Sequence, residues 1–215
     1  HNNVIHYIHF PRKYRLWNDI HSASGKAERT TWYRPIHDYG MKCLYRLFDR
    51  AAPKNIIANS KFTASKIKTC WPNADTNVIY PPLDKEISIT EKHKWMKRDE
   101  HYITLGRFSP EKGQLKLMKS VANLPGIYHF IGFANIHSGY FEACQKQAKE
   151  QNNIVLHPNL SNEERNKLLD SARYYIHTTI NEPFGLSITE SLSHGLLPII
   201  HQSGGAQEIV PLEKL

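Results

Sequence analysis

Two glutamates with seven residues between them, Glu182 and Glu190, bracket the run Asn181-Glu182-Pro183-Phe184-Gly185-Leu186-Ser187-Ile188-Thr189-Glu190. Separated by a turn that leads into a helix, both carboxylates can face one cleft without touching. A carboxylate facing sugar hydroxyls accepts their hydrogen bonds, as acidic residues do for ribose in dinucleotide-binding folds. Gly185 lets the backbone approach a ligand closely, and the helix start presents N–H donors to a phosphate. The plain alternative is a surface loop acid at Glu182 and an exposed helix residue at Glu190.

A second run, Gly106-Arg107-Phe108-Ser109-Pro110-Glu111-Lys112-Gly113, leaves a strand and enters a helix. Arg107 can grip two phosphate oxygens with its planar fork, and Lys112 adds a point charge near a helix N-terminus. The same charges fit an ordinary solvated loop. A third run, Ser203-Gly204-Gly205-Ala206 followed by Glu208, permits either a tight turn or a close backbone approach to a ligand.

These runs need a scaffold, and the chain supplies an alternating one. Residues 4–10 read as a buried strand stopped by Pro11, and 18–34 as a polar loop. Helical spacing covers 36–48, followed by a strand at 56–59, a helix at 63–69 and a strand at 77–80. Pro81-Pro82 breaks the pattern, and the charged, irregular stretch 84–100 marks a domain boundary. Beyond it strands at 101–105, 127–132, 154–156, 174–178 and 197–201 alternate with helices at 112–122, 140–150, 162–171 and 185–194. Such alternation implies right-handed crossovers and a doubly wound parallel sheet, with ligands beyond the carboxyl ends of the strands. The chemistry therefore belongs in the loops after Leu105, Thr178 and His201.

The composition is that of a folded protein: 215 residues, 40% hydrophobic and 22% charged. No apolar run is long enough to cross a bilayer. Cys43, Cys70 and Cys144 lack metal-ligand spacing and read as free thiols in a reducing, cytoplasmic compartment. A net charge of +8 favours anionic partners such as phosphates, nucleic acid or acidic lipid. Lys42, Arg46 and Arg50 recur at four-residue steps, enough for a basic stripe and a peripheral membrane contact, though an ordinary solvated helix face has the same spacing. Nucleic acid fits poorly, because the cations are spread and the aromatics fall inside strands and helices.

Taken together, Arg107 and Lys112 with their glycines, the Glu182–Glu190 pair and the later Gly-Gly resemble family 4 glycosyltransferases. Members of that family share the GT-B fold: two facing Rossmann-like domains, donor in the second and acceptor in the first. Tyr7-Ile8-His9-Phe10-Pro11, Asn59-Ser60 and Val78-Ile79-Tyr80-Pro81-Pro82-Leu83-Asp84 look like the lipid-linked-oligosaccharide α-1,2-mannosyltransferases of the same family, which use GDP-mannose. The resemblance implies an α/β chain divided into an acceptor-side domain at 1–84 and a donor domain at 85–215. It also implies that the first domain is incomplete, since no Gly-rich loop precedes Val4, and that the final helices of the second are missing.

By the same resemblance, Arg107 and Lys112 hold the donor diphosphate together with the backbone of Gly185 and Leu186. Glu190 holds the ribose hydroxyls, while Glu182 and Phe184 contact the transferred sugar. His9 matches a histidine that faces the reacting sugar in some members. The implied reaction is a retaining, metal-independent transfer of a sugar from a GDP- or UDP-linked donor to a glycan or lipid-linked acceptor hydroxyl, with no cofactor. No Asp-x-Asp pair, the usual diphosphate–metal signature, is present in the sequence. A GT-B-type phosphorylase or nucleotide-sugar epimerase would use the same side chains. A basic nucleic-acid- or membrane-surface-binding module is the reading from a different class.

Overall fold

Strand–helix alternation predicts parallel sheets, and two are present in the computed structural model, which describes residues 5–11, 36, 39, 40, 43, 55–83 and 95–210. The chain divides into two compact units: His1–Pro82 with Ile180–Gly185 and Gln202–Leu215, and Leu83–Thr179 with Leu186–His201. The sequence division at 84/85 follows the chain, whereas packing sorts two later segments with the first unit.

In the first unit, β1 (His6–Ile8), β2 (Ile56–Ala58) and β3 (Thr76–Val78) form a parallel sheet in that order. The expected strand at 4–10 is thus shorter. Helix α1 (Lys61–Cys70) starts where Ser60, in extended conformation, accepts the N–H of Thr63 at 3.0 Å. That cap satisfies one of the free donors at a helix start. Ile67 of α1 is fully buried and packs in one cluster with Ile56, Ala58 and Ala74. Of the helix expected at 36–48, the described residues Ile36, Tyr39, Gly40 and Cys43 are helical. The basic stripe of Lys42, Arg46 and Arg50 lies outside the described residues, as do the whole of the loop at 18–34 and most of the irregular stretch at 84–100.

The second unit is a five-stranded, all-parallel sheet built from β4 (Asp99–Leu105), β5 (Ile127–Gly132), β6 (Ile154–Pro158), β7 (Ala172–Ile176) and β8 (Leu197–Ile199), ordered β6-β5-β4-β7-β8. Its helices are α2 (Gln114–Val121), α3 (Gly139–Lys149), α4 (Asn162–Ser171) and α5 (Leu186–Ser193). A short helix, α6 (Ala206–Ile209), belongs to the first unit. Alternate residues of a strand face opposite sides. Tyr128 and Phe130 accordingly pack with Phe108, Met118, Phe141 and Cys144 on the side of α2 and α3. Helix α4 begins with a capping box, Ser161 and Glu164 bonding reciprocally.

One boundary departs from the expected helix at 112–122. Residues Pro110–Lys112 form a single 3-10 turn, Gly113 takes a left-handed conformation at φ 66°, and the α-helix begins only at Gln114. Lys112 therefore precedes the helix instead of opening it. The left-handed step is one that glycine makes without steric cost.

The strand order reverses direction at β4, between its neighbours β5 and β7. In open α/β sheets the crevice at such a reversal, beyond the carboxyl ends of the strands, is where ligands bind. The loops after β4 and β7 carry the two runs that the sequence singles out. The depression lined by Leu124, Pro125, Gln151 and Asn153 lies at the amino ends of β5 and β6, on the other edge of the sheet.

Candidate functional site

The loop after β4 is held from beneath by Gln114, a buried polar residue that sequence reasoning passed over. Its Nε2 donates to the carbonyls of Gly106 at 3.2 Å and Arg107 at 2.8 Å, and its Oε1 accepts the Tyr140 hydroxyl at 3.2 Å. Gly132, at the end of β5, makes room: a Cβ there would lie 2.0 Å from the Gly106 carbonyl oxygen. A side chain at position 132 would thus displace the loop that carries Arg107.

Arg107 itself is exposed, and its Nη2 pairs with Glu111 Oε1 at 2.8 Å. Burial pushes the Glu111 carboxyl upward, but hydrogen bonds from Ser109, its own backbone and the Arg107 guanidinium outweigh that and hold it below the usual carboxylate range. Arg107 is thus already engaged by a carboxylate four residues on. That spacing was a readable signal.

Lys112 is half-buried at the end of the 3-10 turn, and its carbonyl accepts the Thr178 hydroxyl. This bond ties the loop after β4 to the loop after β7, on the two sides of the topological reversal. From β7 inward, the Tyr175 hydroxyl donates to Ser187 Oγ at 2.8 Å in the first turn of α5. Leu186, the first residue of α5, is 56% exposed, so the mouth of this helix is not sealed by apolar packing.

Glu190 is half-buried on α5, and its Oε1 pairs with Arg165 Nη2 of α4 at 2.8 Å. Nothing in the sequence joins these residues, which are 25 positions apart. One turn further along both helices, His194 Nδ1 meets Asp170 Oδ1 at 2.7 Å.

The first unit holds the remaining expected residues. Phe184 is buried, and its ring lies 5.8 Å from that of Tyr80. Glu182 is half-buried, with its carbonyl bonded to the Gly205 N–H at 2.8 Å. Gly185, at φ 112°, is in a region that side chains strongly disfavour. His9 is exposed just beyond β1, its ring edge-on to Tyr7 at 5.1 Å. The Thr63 hydroxyl stands within hydrogen-bonding distance of two carbonyls, His9 at 3.2 Å and Pro183 at 3.5 Å. Ser60 also donates to the Pro183 carbonyl. His9 and the Glu182–Pro183 segment are thereby brought to the same end of α1.

Glu208 performs a task that its place in the sequence does not announce. Its two carboxylate oxygens accept the N–H groups of Lys61 and Phe62 at 2.8 and 2.7 Å, and Oε2 also accepts the Tyr80 hydroxyl at 2.9 Å. It caps α1 from almost 150 residues away. Burial, then the hydrogen bond and negative charge of Glu208, push the Tyr80 phenol up to about 12.

Across the second sheet runs a row of three histidines. His129 Nδ1 lies 2.9 Å from His157 Nε2, and its Nε2 lies 3.1 Å from His101 Nδ1. Burial, reinforced by the neighbouring His101 and His157, pushes His129 down from 6.5 to about 4, against a smaller opposing effect of Asp99. Burial also lowers His157.

Comparison with known proteins agrees with this architecture. Residues 85–214 match the family described as "Glycosyl transferases group 1". The chain is similar to a Dictyostelium discoideum protein named GDP-Man:Man(3)GlcNAc(2)-PP-Dol alpha-1,2-mannosyltransferase, 23% identical over 241 residues, covering 96% of this chain and 47% of that protein. The chain therefore spans about half the length of that relative. Among solved structures, WaaG, a glycosyltransferase involved in lipopolysaccharide biosynthesis, superposes with a TM-score of 0.67 at 14% identity, covering 96% of this chain and 59% of its own. Anabaena HepE in complex with UDP and glucose superposes with a TM-score of 0.60 at 22% identity, covering 82% and 52%. At these identities the structural likeness speaks to the fold, which is of the GT-B class.

Proposed function

Because this chain belongs to the glycosyl transferases group 1 family, we propose that it is the nucleotide-sugar-handling part of a retaining, metal-independent hexosyltransferase, with mannose as the sugar. The donor is GDP- or UDP-linked, and the acceptor is a hydroxyl of a lipid-linked glycan. The observation that carries this reading is the Thr178–Lys112 bond at the sheet's topological reversal, which links the cation-bearing loop after β4 to the loop leading into the helix of Glu190. Residues 85–215 take the donor side, and 1–84 the acceptor side.

In the proposed reaction, negative charge grows on the leaving phosphate as the glycosidic bond breaks. Cations fixed beforehand stabilise that charge more than they stabilise the ground state, which lowers the barrier. Arg107 and Lys112 supply the cations, with backbone N–H groups at Gly185 and Leu186. Glu190 accepts the ribose hydroxyls. Glu182 and Phe184 contact the sugar, and His9 faces the reacting centre. The mannosyl and lipid-linked assignments draw on the name of the Dictyostelium relative. A nucleotide donor is supported by the UDP and glucose named with HepE.

The test is calorimetry with GDP, UDP, inorganic phosphate and GDP-mannose, followed by a transfer assay from GDP-mannose to a lipid-linked oligosaccharide. The reading expects nucleoside diphosphate binding and release of GDP on transfer. Inorganic phosphate as the required co-substrate would favour a phosphorylase, and binding of neither nucleotide would overturn the proposal.

A further inference from the structure

We propose that Arg165 is a positioning residue for Glu190, so that α4 as well as α5 builds the ribose-binding part of the donor site. The inference rests on Glu190 being the ribose acceptor and adds a residue to that site. Arg165 lies in the first turn and a half of α4, and Glu190 in the first turn and a half of α5. In a parallel α/β sheet the amino ends of the helices stand at the carboxyl edge of the strands, where ligands bind. Both side chains therefore sit at the ligand-binding edge.

Two polar links join these helices, and they differ in kind. Asp170 and His194, at the carboxyl ends, meet with the histidine side chain only 3% exposed. Leu169 of α4 and Ile188 of α5 are also fully buried. The His194–Asp170 contact joins the two segments there. Arg165 and Glu190, at the amino ends, are 34% and 33% exposed, and an ion pair this open to water contributes little stability. The Arg165 Nε is buried with no hydrogen-bond partner among the described residues, and an unmade bond of that kind costs stability. As a clamp between helices, the pair is poorly built.

As an orienting device it is well built. Arg165 Nε lies buried, while Nη2 holds Glu190 Oε1 at 2.8 Å. This charge-assisted contact to one carboxylate oxygen restricts the positions the carboxylate can take. Oε2 has no partner among the described residues, which leaves it to accept a hydroxyl. Preorganisation of this sort raises affinity by removing the cost of ordering the side chain on binding.

The experiment measures GDP and its 2′,3′-dideoxy analogue by calorimetry on the full chain (UDP and its analogue if UDP binds more tightly), for wild type, Arg165→Ala, Arg165→Lys, Glu190→Gln and the double variant. Melting temperatures without ligand are recorded alongside. Arg165→Ala is expected to weaken GDP about tenfold, the scale of one charge-assisted hydrogen bond, and to leave the dideoxy analogue unchanged. Arg165→Lys should recover only part of the loss, and the double variant should bind no worse than Glu190→Gln alone. Equal weakening of GDP and its analogue by Arg165→Ala would reduce Arg165 to a structural residue. So would GDP binding that falls in Glu190→Gln but not in Arg165→Ala. If Glu190→Gln leaves GDP binding intact, or if neither nucleotide binds, the ribose assignment itself fails and takes the proposal with it.

Discussion

The Gly205 N–H donates to the Glu182 carbonyl at 2.8 Å, and a Cβ on Gly205 would stand only 2.2 Å from the Pro183 carbonyl oxygen. Gly204 is as confined, with Glu182 O 2.5 Å from the position of its missing Cβ and a positive φ of 71°. The double glycine is a bearing surface for the backbone on which Glu182 sits. Gly205→Ala should therefore push Glu182 and Phe184 out of place, costing about 1–3 kcal/mol, the usual range for overpacking. Thermal melts and donor turnover measured together check this. An alanine variant with native melting and native turnover would show that the segment yields freely.

Glu208 adds a distant cap to the local one that Ser60 gives α1. Removing its carboxylate by Glu208→Ala leaves the N–H groups of Lys61 and Phe62 and the Tyr80 hydroxyl without their acceptor. Loss of a helix N-cap costs about 1 kcal/mol, and hydrogen bonds to a charged acceptor are worth about 1.5–3 kcal/mol. The predicted loss is on the order of 2 kcal/mol, with Tyr80→Phe losing a fraction of it. Urea unfolding of both variants and the double variant tests the coupling. Strictly additive losses would mean that Tyr80 and Glu208 act independently.

The histidine row makes the second sheet sensitive to acid. The folded pKa of His129 is depressed below its ordinary 6.5 to about 4, so between these values the unfolded chain binds more protons than the folded one. The stabilisation is fully present above about pH 6.5 and is lost as pH falls towards 4, by linkage. His157, also lowered, acts in the same direction. The amplitude for His129 is on the order of 3 kcal/mol. His129→Asn should flatten the pH dependence of the urea midpoint across that window. An unchanged slope would place the acid sensitivity elsewhere.

Arg107 presents a competition that substitution can resolve. Its guanidinium is shared between Glu111, at 2.8 Å, and any phosphate it is called on to hold. Arg107→Ala should weaken nucleoside diphosphate by about 1.5–3 kcal/mol and bare nucleoside hardly at all, because only the former offers it an anion. Glu111→Gln should strengthen diphosphate binding by up to about fivefold at low salt, the worth of an exposed ion pair. Calorimetry at two ionic strengths decides it. Weaker binding in Glu111→Gln would identify the acid as an orienter of Arg107.

Much of this was legible in the sequence because it is local. The strand–helix alternation from 101 onward and the two cation and glutamate runs declare themselves within a few residues. Legibility ends where a partner comes from far along the chain. Gly204-Gly205 read equally as a turn or a place for a ligand, since the obstacle that forbids a side chain is the backbone of residues 181–184. Glu208 as a cap for Lys61 and Phe62, and Arg165 as the partner of Glu190, are products of tertiary packing. The helix start at Gln114, in place of Lys112, was missed because the left-handed step at Gly113 is a conformational choice that composition does not reveal.

Metal independence is the prediction that separates this chemistry from its common alternative. A diphosphate leaving group carries concentrated negative charge that must be met as the glycosidic bond breaks. A divalent ion meets it when a protein supplies carboxylates to hold the ion, and the sequence has no Asp-x-Asp pair for that purpose. Arg107 and Lys112 flank the same loop after β4, and cations held in place beforehand act as a preorganised counter-charge. Transfer should therefore survive exhaustive EDTA treatment, while Arg107→Ala with Lys112→Ala should reduce turnover by a factor of hundreds or more, as removal of preorganised donors generally does. Added magnesium should not rescue the double variant, because no carboxylate set stands ready to place it among the described residues. Loss of transfer on chelation, restored by magnesium or manganese in the wild type, would show that a metal carries the charge and that the two cations serve only to bind the donor.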